Sequence, residues 1–394
     1  MKLRIAIGLL IVRGALNADA GGAEPAFAFR FAGDAVHGMQ FAPDGRKLVL
    51  VTFETKRRHL EVAQFSGRIY DVASGKMERE IKTGAWVGAW SHNGSVLALA
   101  RANAVDIDLF DCRTWKIKQT VHITYPKDFF PPELSRLCFD RSDNLYVAEF
   151  NDSFDGVVEV HNAWLDGGES SRKESSPRMW WKVGDRWSPG PTLFGCCTTS
   201  SGNDSQVPLM AYDLCVAAGP RGPRLAVSYW RCLAQILDVG GRSGEAPSVD
   251  PASTVSVRRP YLKLTPDGKQ LVTYEYGKLR ITPGGAETRE PPELRVFRVG
   301  DDRVELIRSR AVEAPLPRAL GAPQVLEVSN NGQVAAYCAR QVVGIVRIPS
   351  CDPMLLIPHN EEGAATAIVF SPDSRSLAVA DKEKKEVRFY RIQK

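Results

Sequence analysis

Phe41-Ala-Pro-Asp-Gly-Arg-Lys-Leu48 reads as an apolar residue, a tight turn and the opening of a new apolar run. Pro presets its own backbone angle and Gly accepts a positive φ, so the segment is a hairpin. The phrase returns as Trp90-Ser-His-Asn-Gly-Ser-Val-Leu97, Phe139-Asp-Arg-Ser-Asp-Asn-Leu145 and, more weakly, Ala218-Gly-Pro-Arg-Gly-Pro-Arg-Leu225. It is clear again as Leu264-Thr-Pro-Asp-Gly-Lys-Gln-Leu271, Val328-Ser-Asn-Asn-Gly-Gln-Val334 and Phe370-Ser-Pro-Asp-Ser-Arg-Ser-Leu377, seven copies in all. A period of roughly 40 to 50 residues is one supersecondary unit copied around an axis.

Each turn leads into a short apolar strand, as in Leu48-Val-Leu-Val51, Leu97-Ala-Leu-Ala100 and Leu377-Ala-Val-Ala380. A second marker follows: Arg68-Ile-Tyr-Asp71, Asp108-Leu-Phe-Asp111, Val158-Glu-Val-His161, Gln235-Ile-Leu-Asp238, Arg295-Val-Phe-Arg298, Gly344-Ile-Val-Arg347 and Arg388-Phe-Tyr-Arg391. After several markers comes a turn and a further polar-apolar strand, as in Ala73-Ser-Gly-Lys-Met-Glu-Arg-Glu-Ile81. Four strands per unit in seven units predict an all-β, seven-bladed β-propeller with antiparallel blades. The last unit stops after its third strand. The alternating segment Ala26-Phe-Ala-Phe-Arg-Phe31 is expected to supply the fourth, closing the last blade with the N-terminal strand and removing open edges.

The order Phe-Ser-Pro-Asp, then Leu-Ala, then apolar-apolar-Asp, then Ser-Gly-Lys resembles the WD-repeat family, in a degenerate bacterial form, over nearly the whole of residues 21–394. No strand ends in a Trp-Asp pair and no unit has a clear Gly-His pair. Apolar packing, rather than the family's hydrogen-bond tetrad, is therefore expected to hold the blades.

The 394 residues carry 44% apolar and 25% charged side chains and a net charge of +5. The basic residues are scattered, so no nucleic-acid stripe is expected. Met1-Lys2-Leu3-Arg4, the apolar run Ile5–Val12 and the small residues of Ala18-Asp19-Ala20 read as a signal peptide over residues 1–20. The run is too short to span a bilayer. The expected location is the periplasm, cell envelope or exterior, the alternative being a cytoplasmic leader, with no membrane span once the signal is removed. Of eight cysteines, Cys138, Cys215 and Cys338 lie in apolar runs and read as buried hydrophobes. Adjacent Cys196 and Cys197 lie in a polar loop and read as reactive or bridged.

Departures from the period point to function, because insertions map to loops. Units one and five are extended between their second and third strands, through Thr52–Gly67 and Tyr274–Glu293. The longest departure, an expected insertion over residues 163–212, holds Trp164, Trp180, Trp181 and Trp187. Met179–Val183 is expected to be the outer strand of unit three and the remainder a linker into unit four. Trp187 and Arg186 are the candidate anchors of a partner-binding rim, with Lys56, Arg57, Arg58 and Tyr276 from the other two insertions, since buried aromatic and Arg anchors dominate interfaces.

Catalytic signatures are sparse. The six histidines lack metal-ligand spacing. There is no Gly-x-Ser-x-Gly elbow and no phosphate-binding Gly loop. Asn151-Asp-Ser-Phe-Asp-Gly156 begins like a calcium loop, but its twelfth position is Asn162. No catalytic, cofactor or metal residue is therefore assigned. Asp34, Asp213 and Glu327 lie near inner strands and are placed to converge at a central channel. The expected function is a non-enzymatic protein-interaction platform with an unnamed protein partner. The alternative is an exported hydrolase or lactonase with a channel metal.

Overall fold

The computed structural model describes residues 24–54, 64–82, 84, 87–101, 105–123, 133–150, 178–183, 186–192, 211–220, 222–229, 233–240, 248–256, 261–275, 279–281, 287–301, 303–312, 325–339, 342–358 and 365–392. Its strands form seven four-stranded antiparallel sheets and one two-stranded ribbon. The first four sheets are consecutive meanders. Sheet one is Ala35–Phe41, Lys47–Glu54, Gln64–Asp71 and Met77–Ile81. Sheet two is Gly88–Trp90, Val96–Ala100, Asp106–Asp111 and Ile117–His122. Sheet three is Glu133–Phe139, Leu145–Phe150, Arg178–Val183 and Arg186–Thr192. Sheet four is Ala211–Ala218, Pro223–Tyr229, Leu233–Gly240 and Ser248–Ser256.

Sheet five is Tyr261–Leu264, Gln270–Glu275, Glu293–Val299 and Val304–Ala311, with the ribbon Leu279–Ile281 and Glu287–Arg289 between its second and third strands. Sheet six is Leu326–Val328, Val334–Cys338, Val342–Arg347 and Pro353–Pro358. Sheet seven joins Ala365–Phe370, Ser376–Asp381 and Glu386–Arg391 to the N-terminal strand Phe27–Arg30. The first strand of each sheet packs on that of the next, and Ala365–Phe370 packs on Ala35–Phe41. The sheets are the blades of a β-propeller around a central channel.

The second strands carry near-continuous apolar runs at their centres because both of their faces are covered by neighbouring blades. Leu48, Leu50, Leu97, Leu99, Leu225, Leu271 and Leu377 are wholly buried, each contributing about 1.5–3 kcal/mol of burial. The core is accordingly shared among the seams. One cluster joins sheets one and two through Val49, Ile69, Trp90 and Leu99. Another joins sheets one and seven through Phe29, Met39, Tyr70 and Phe389. The N-terminal strand closes its blade in register, with Phe27 opposite Phe389 and Arg30 opposite Glu386.

The hairpin turns interlock on one face. Ser91 Oγ donates to Asn93 at 2.9 Å and accepts the Val96 N–H at 3.0 Å. Thr265 with Asp267, Ser329 with Asn331 and Ser371 with Asp373 repeat that geometry. In unit three Asp140 substitutes, accepting from the Ser142 and Asn144 amides. Neighbouring turns then bond one another. The Asn93 amide donates to Asp143, Ala218 N–H to the Pro266 carbonyl, Asn330 to the Pro372 carbonyl and Asn331 N–H to Ser374 Oγ.

Two sequence expectations are corrected in blade three. Its third strand is Arg178–Val183, which pairs with Leu145–Phe150, and its outer strand is Arg186–Thr192. The third-strand place expected of Val158–His161, which lies outside the described residues, is held by Arg178–Val183, and Met179–Val183 is not outermost. The expected insertion over residues 163–212 contains these two strands of the blade. The extra length of the unit falls largely at 151–177, between its second and third strands. The physical reason is that Ser188-Pro-Gly-Pro-Thr192 reads as a loop by composition, while on an outer edge its prolines lose no ladder bond. The signal segment, the calcium-like Asn151–Gly156, Asn162, Trp164, Cys196 and Cys197 lie outside the described residues.

Candidate functional site

The alternation of the innermost strands sorts their side chains into two layers. One residue before their strand ends stand Gln40, Cys138, Lys263 and Glu327, and Cys215, opposite Ala226, holds the same register place in blade four. Two residues earlier stand Arg136, Asp213 and Tyr261. These side chains reach across the seams. Gln40 accepts the Trp90 N–H at 2.8 Å, Cys215 Sγ the Leu264 N–H at 3.1 Å and Asp213 the Leu262 N–H at 3.1 Å. Each bond satisfies an amide on the channel-facing edge of the next blade, which has no ladder partner there.

Charge is paired between blades in the same layers. Arg136 Nε lies 2.6 Å from Asp213, and Lys263 Nζ 2.9 Å from Glu327. Burial opposes both cations, but the facing carboxylates more than offset it and hold Arg136 and Lys263 above their ordinary pKa. His37 is the extra residue of a bulge between Val36 and Gly38. Burial, aided by the Arg136 charge, lowers its pKa to about 4, so it is neutral at pH 7. Burial pushes Cys215 up to about 12 and Cys138 higher, so neither thiol is a nucleophile at neutral pH. All five of Cys112, Cys138, Cys215, Cys338 and Cys351 are free thiols.

Asp213 and Glu327 thus stand where the sequence placed them, each with a cation partner. Asp34 does not join them. It is half-exposed and pairs with Lys385 at 3.2 Å. Among the described residues no three His, Cys, Asp or Glu side chains gather as a metal set.

A polar tie that sequence reasoning missed lies within the blades. The first residue of the third-strand marker is Arg68, Asp108, Arg295 or Arg388. In all four sheets it bonds back to the second strand or the residue just after it. Arg68 reaches Thr52 at 2.6 Å, Glu54 at 2.6 Å and Glu80 on the fourth strand at 2.8 Å. Asp108 takes Arg101 twice at 2.8 Å and Thr120 at 2.8 Å. Arg295 meets Glu275 at 3.2 Å and Arg388 meets Asp381 at 3.3 Å. The recurrence of a charge at one position of the third strand was the signal.

Antiparallel order decides which loops share a face. The connections from second to third strand emerge at the end that also carries the links between blades. The hairpin turns and the third-to-fourth turns emerge at the other end. The long connections 55–63, 151–177 and 276–292 therefore leave blades one, three and five on one face. Lys56, Arg57, Arg58 and Tyr276 belong to two of these connections and lie outside the described residues. Arg186 and Trp187 do not share that end. They open the outer strand of blade three beside its third-to-fourth turn, with Trp187 opposite Lys182. Their side chains lie outside the described set.

No family model matches the chain, and no curated protein matches it in sequence. Among solved structures it is similar to the β-propeller domain of Myceliophteria thermophila Cps50 (Swd1), at 13% identity and a TM-score of 0.60. That match covers 94% of this chain and 100% of the other. It is also similar to a chain of Kuenenia stuttgartiensis hydrazine synthase, at 12% identity and a TM-score of 0.59, covering 92% of this chain and 97% of that one. Likeness at these identities is one of fold. Among the described residues no helix is long and apolar enough to cross a membrane.

Proposed function

We propose that the chain is a WD-repeat-like, seven-bladed propeller, exported to the periplasm or cell envelope, that serves as a protein-interaction platform. The observation that carries this reading is that the three longest second-to-third connections leave their blades at the same end of the strands. A closed ring fixes the strands from which such loops spring and so lowers the entropy lost on association. The rim would draw its basic and aromatic character from Lys56, Arg57, Arg58 and Tyr276. Arg186 and Trp187, at the far end of blade three, are not part of it.

The competing reading, an exported hydrolase or lactonase with a channel site, draws less support. The channel carboxylates Asp213 and Glu327 already have cations at 2.6 and 2.9 Å. The test is capture from native envelope extract by the intact protein, beside a variant with residues 55–63 and 276–292 replaced by short Gly-Ser links. A partner lost with the links at unchanged melting temperature supports the platform. Equal capture by both proteins overturns it. Export is tested by sequencing the mature N-terminus, expected near Gly21; an intact Met1 in a soluble cytosolic fraction overturns that part.

A further inference from the structure

The opposite face carries an aromatic and basic constellation at the seam of blades one and two. The turn Asp111-Cys-Arg-Thr-Trp-Lys116 places Trp115 at φ 57, in the left-handed region. The matching position of blade one is Gly75, at φ 66. Asp111 holds the turn by accepting the Thr114 amide at 2.8 Å and its hydroxyl at 3.1 Å, which lowers the Asp111 pKa and keeps it ionised.

Trp115 is half-buried. Its ring meets Trp90 edge-on at 6.1 Å. Lys47 Nζ and Arg79 Cζ lie over it at 5.5 and 5.7 Å. Trp90 is 4% exposed, and its Nε1–H has no hydrogen-bond acceptor. Lys47 also meets Glu78 at 2.7 Å, with both side chains about a third exposed. Arg113 and Lys116 are exposed on the same turn, and Ile117 and Met77 are exposed at the starts of the two outer strands.

We propose that this seam docks an acidic linear segment of a partner protein. The Trp115 ring holds two cations in place, so less rotamer entropy remains to be lost when they take carboxylates. Lys47 exchanges Glu78 for a partner carboxylate, Arg79 and Lys116 take its neighbours, and the exposed Ile117, next to Lys116, receives an apolar side chain. Charge complementarity selects this occupant. Within the patch Lys47, Arg79, Arg113 and Lys116 outnumber Glu78, Asp71 and Asp111, but those three anions interrupt the basic track that a continuous phosphate backbone would follow. The site lies on the face away from the long connections, so it stands or falls separately from the platform rim.

The experiment is selection of short displayed peptides of Asp and Glu around one apolar residue, followed by affinity measurement against the intact protein and two variants. Trp115→Gly restores the residue type that blade one uses at this backbone angle. The double variant Lys47→Gln with Arg79→Gln leaves the turn untouched. Each is expected to weaken the selected peptide by about tenfold or more, with affinity falling as salt rises and the double variant melting like the parent. If Trp115→Gly unfolds, the double variant decides alone. No enrichment over the double variant overturns the proposal. So does a single-stranded oligonucleotide that binds more tightly through the same residues.

Discussion

His37 is a base kept neutral by its surroundings. Its folded pKa is about 4 against an ordinary 6.5. Between those values the unfolded chain binds a proton that the folded chain does not. Its stabilising contribution is therefore complete above pH 6.5 and is lost as pH falls toward 4. The loss should be on the order of 2 kcal/mol, allowing for partial exposure. Thermal melts across this range should slope downward with acid, and His37→Gln should flatten the slope; an unchanged slope would refute the assignment. Arg224 and Asp238 make a second residue-scale test. Their bonds of 2.6 and 2.7 Å are buried, and Arg224 also donates to the Gly268 carbonyl of the next blade at 3.2 Å. Asp238→Ala leaves the buried guanidinium only the Gly268 carbonyl and the exposed Asp301 at 3.7 Å and should cost up to about 3 kcal/mol. Arg224→Met with Asp238→Leu removes both charges and should cost clearly less in urea unfolding.

At the scale of elements, the hairpin turn is both a local structure and a clasp. Gly45 and Gly268 hold the same left-handed place, at φ +71 and +67. A Cβ on Gly45 would meet only Pro372, at 3.6 Å, whereas on Gly268 it would collide with the Ala218 carbonyl oxygen of the neighbouring turn. Gly45→Ala should therefore cost only the backbone term, about 1–2 kcal/mol, and Gly268→Ala distinctly more. Equal losses by calorimetry would mean that the turns do not clasp. The elements most legible in the sequence were these hairpins, because Pro, Asp and Gly each act through their own backbone. The third strand of blade three was missed because Val158-Glu-Val-His161 and Arg178-Met-Trp-Trp-Lys-Val183 have comparable strand character, and only pairing with Leu145–Val147 chose between them.

At the scale of the molecule, closure depends on a strand from the far end of the chain. Phe29 is 8% exposed, stacks on Tyr70 of blade one at 4.9 Å and meets Phe389 of blade seven at 5.9 Å. Phe29→Ala should cost about 3–5 kcal/mol. Deleting residues 24–31 should also bare the Glu386–Arg391 edge and turn a monodisperse protein into an aggregating one on size exclusion. An unchanged elution profile and melting temperature would show that the strand is dispensable.

The repeat, its four-strand unit and the return of the N-terminal strand are legible in the amino acids alone, since turn chemistry and period-two apolar runs are local and act through backbone angles and burial. The sequence also marked Asp213 and Glu327 as inner-strand carboxylates. That each meets a cation from a neighbouring strand, that Asp34 stays outside, and that Trp187 opens an outer strand away from the long connections emerges only from the assembled blades. Those facts follow from how separate blades align around an axis. A pairing such as Arg136 with Asp213, or Trp115 with Lys47 and Arg79, brings together residues from different blades, and no local pattern specifies which will meet.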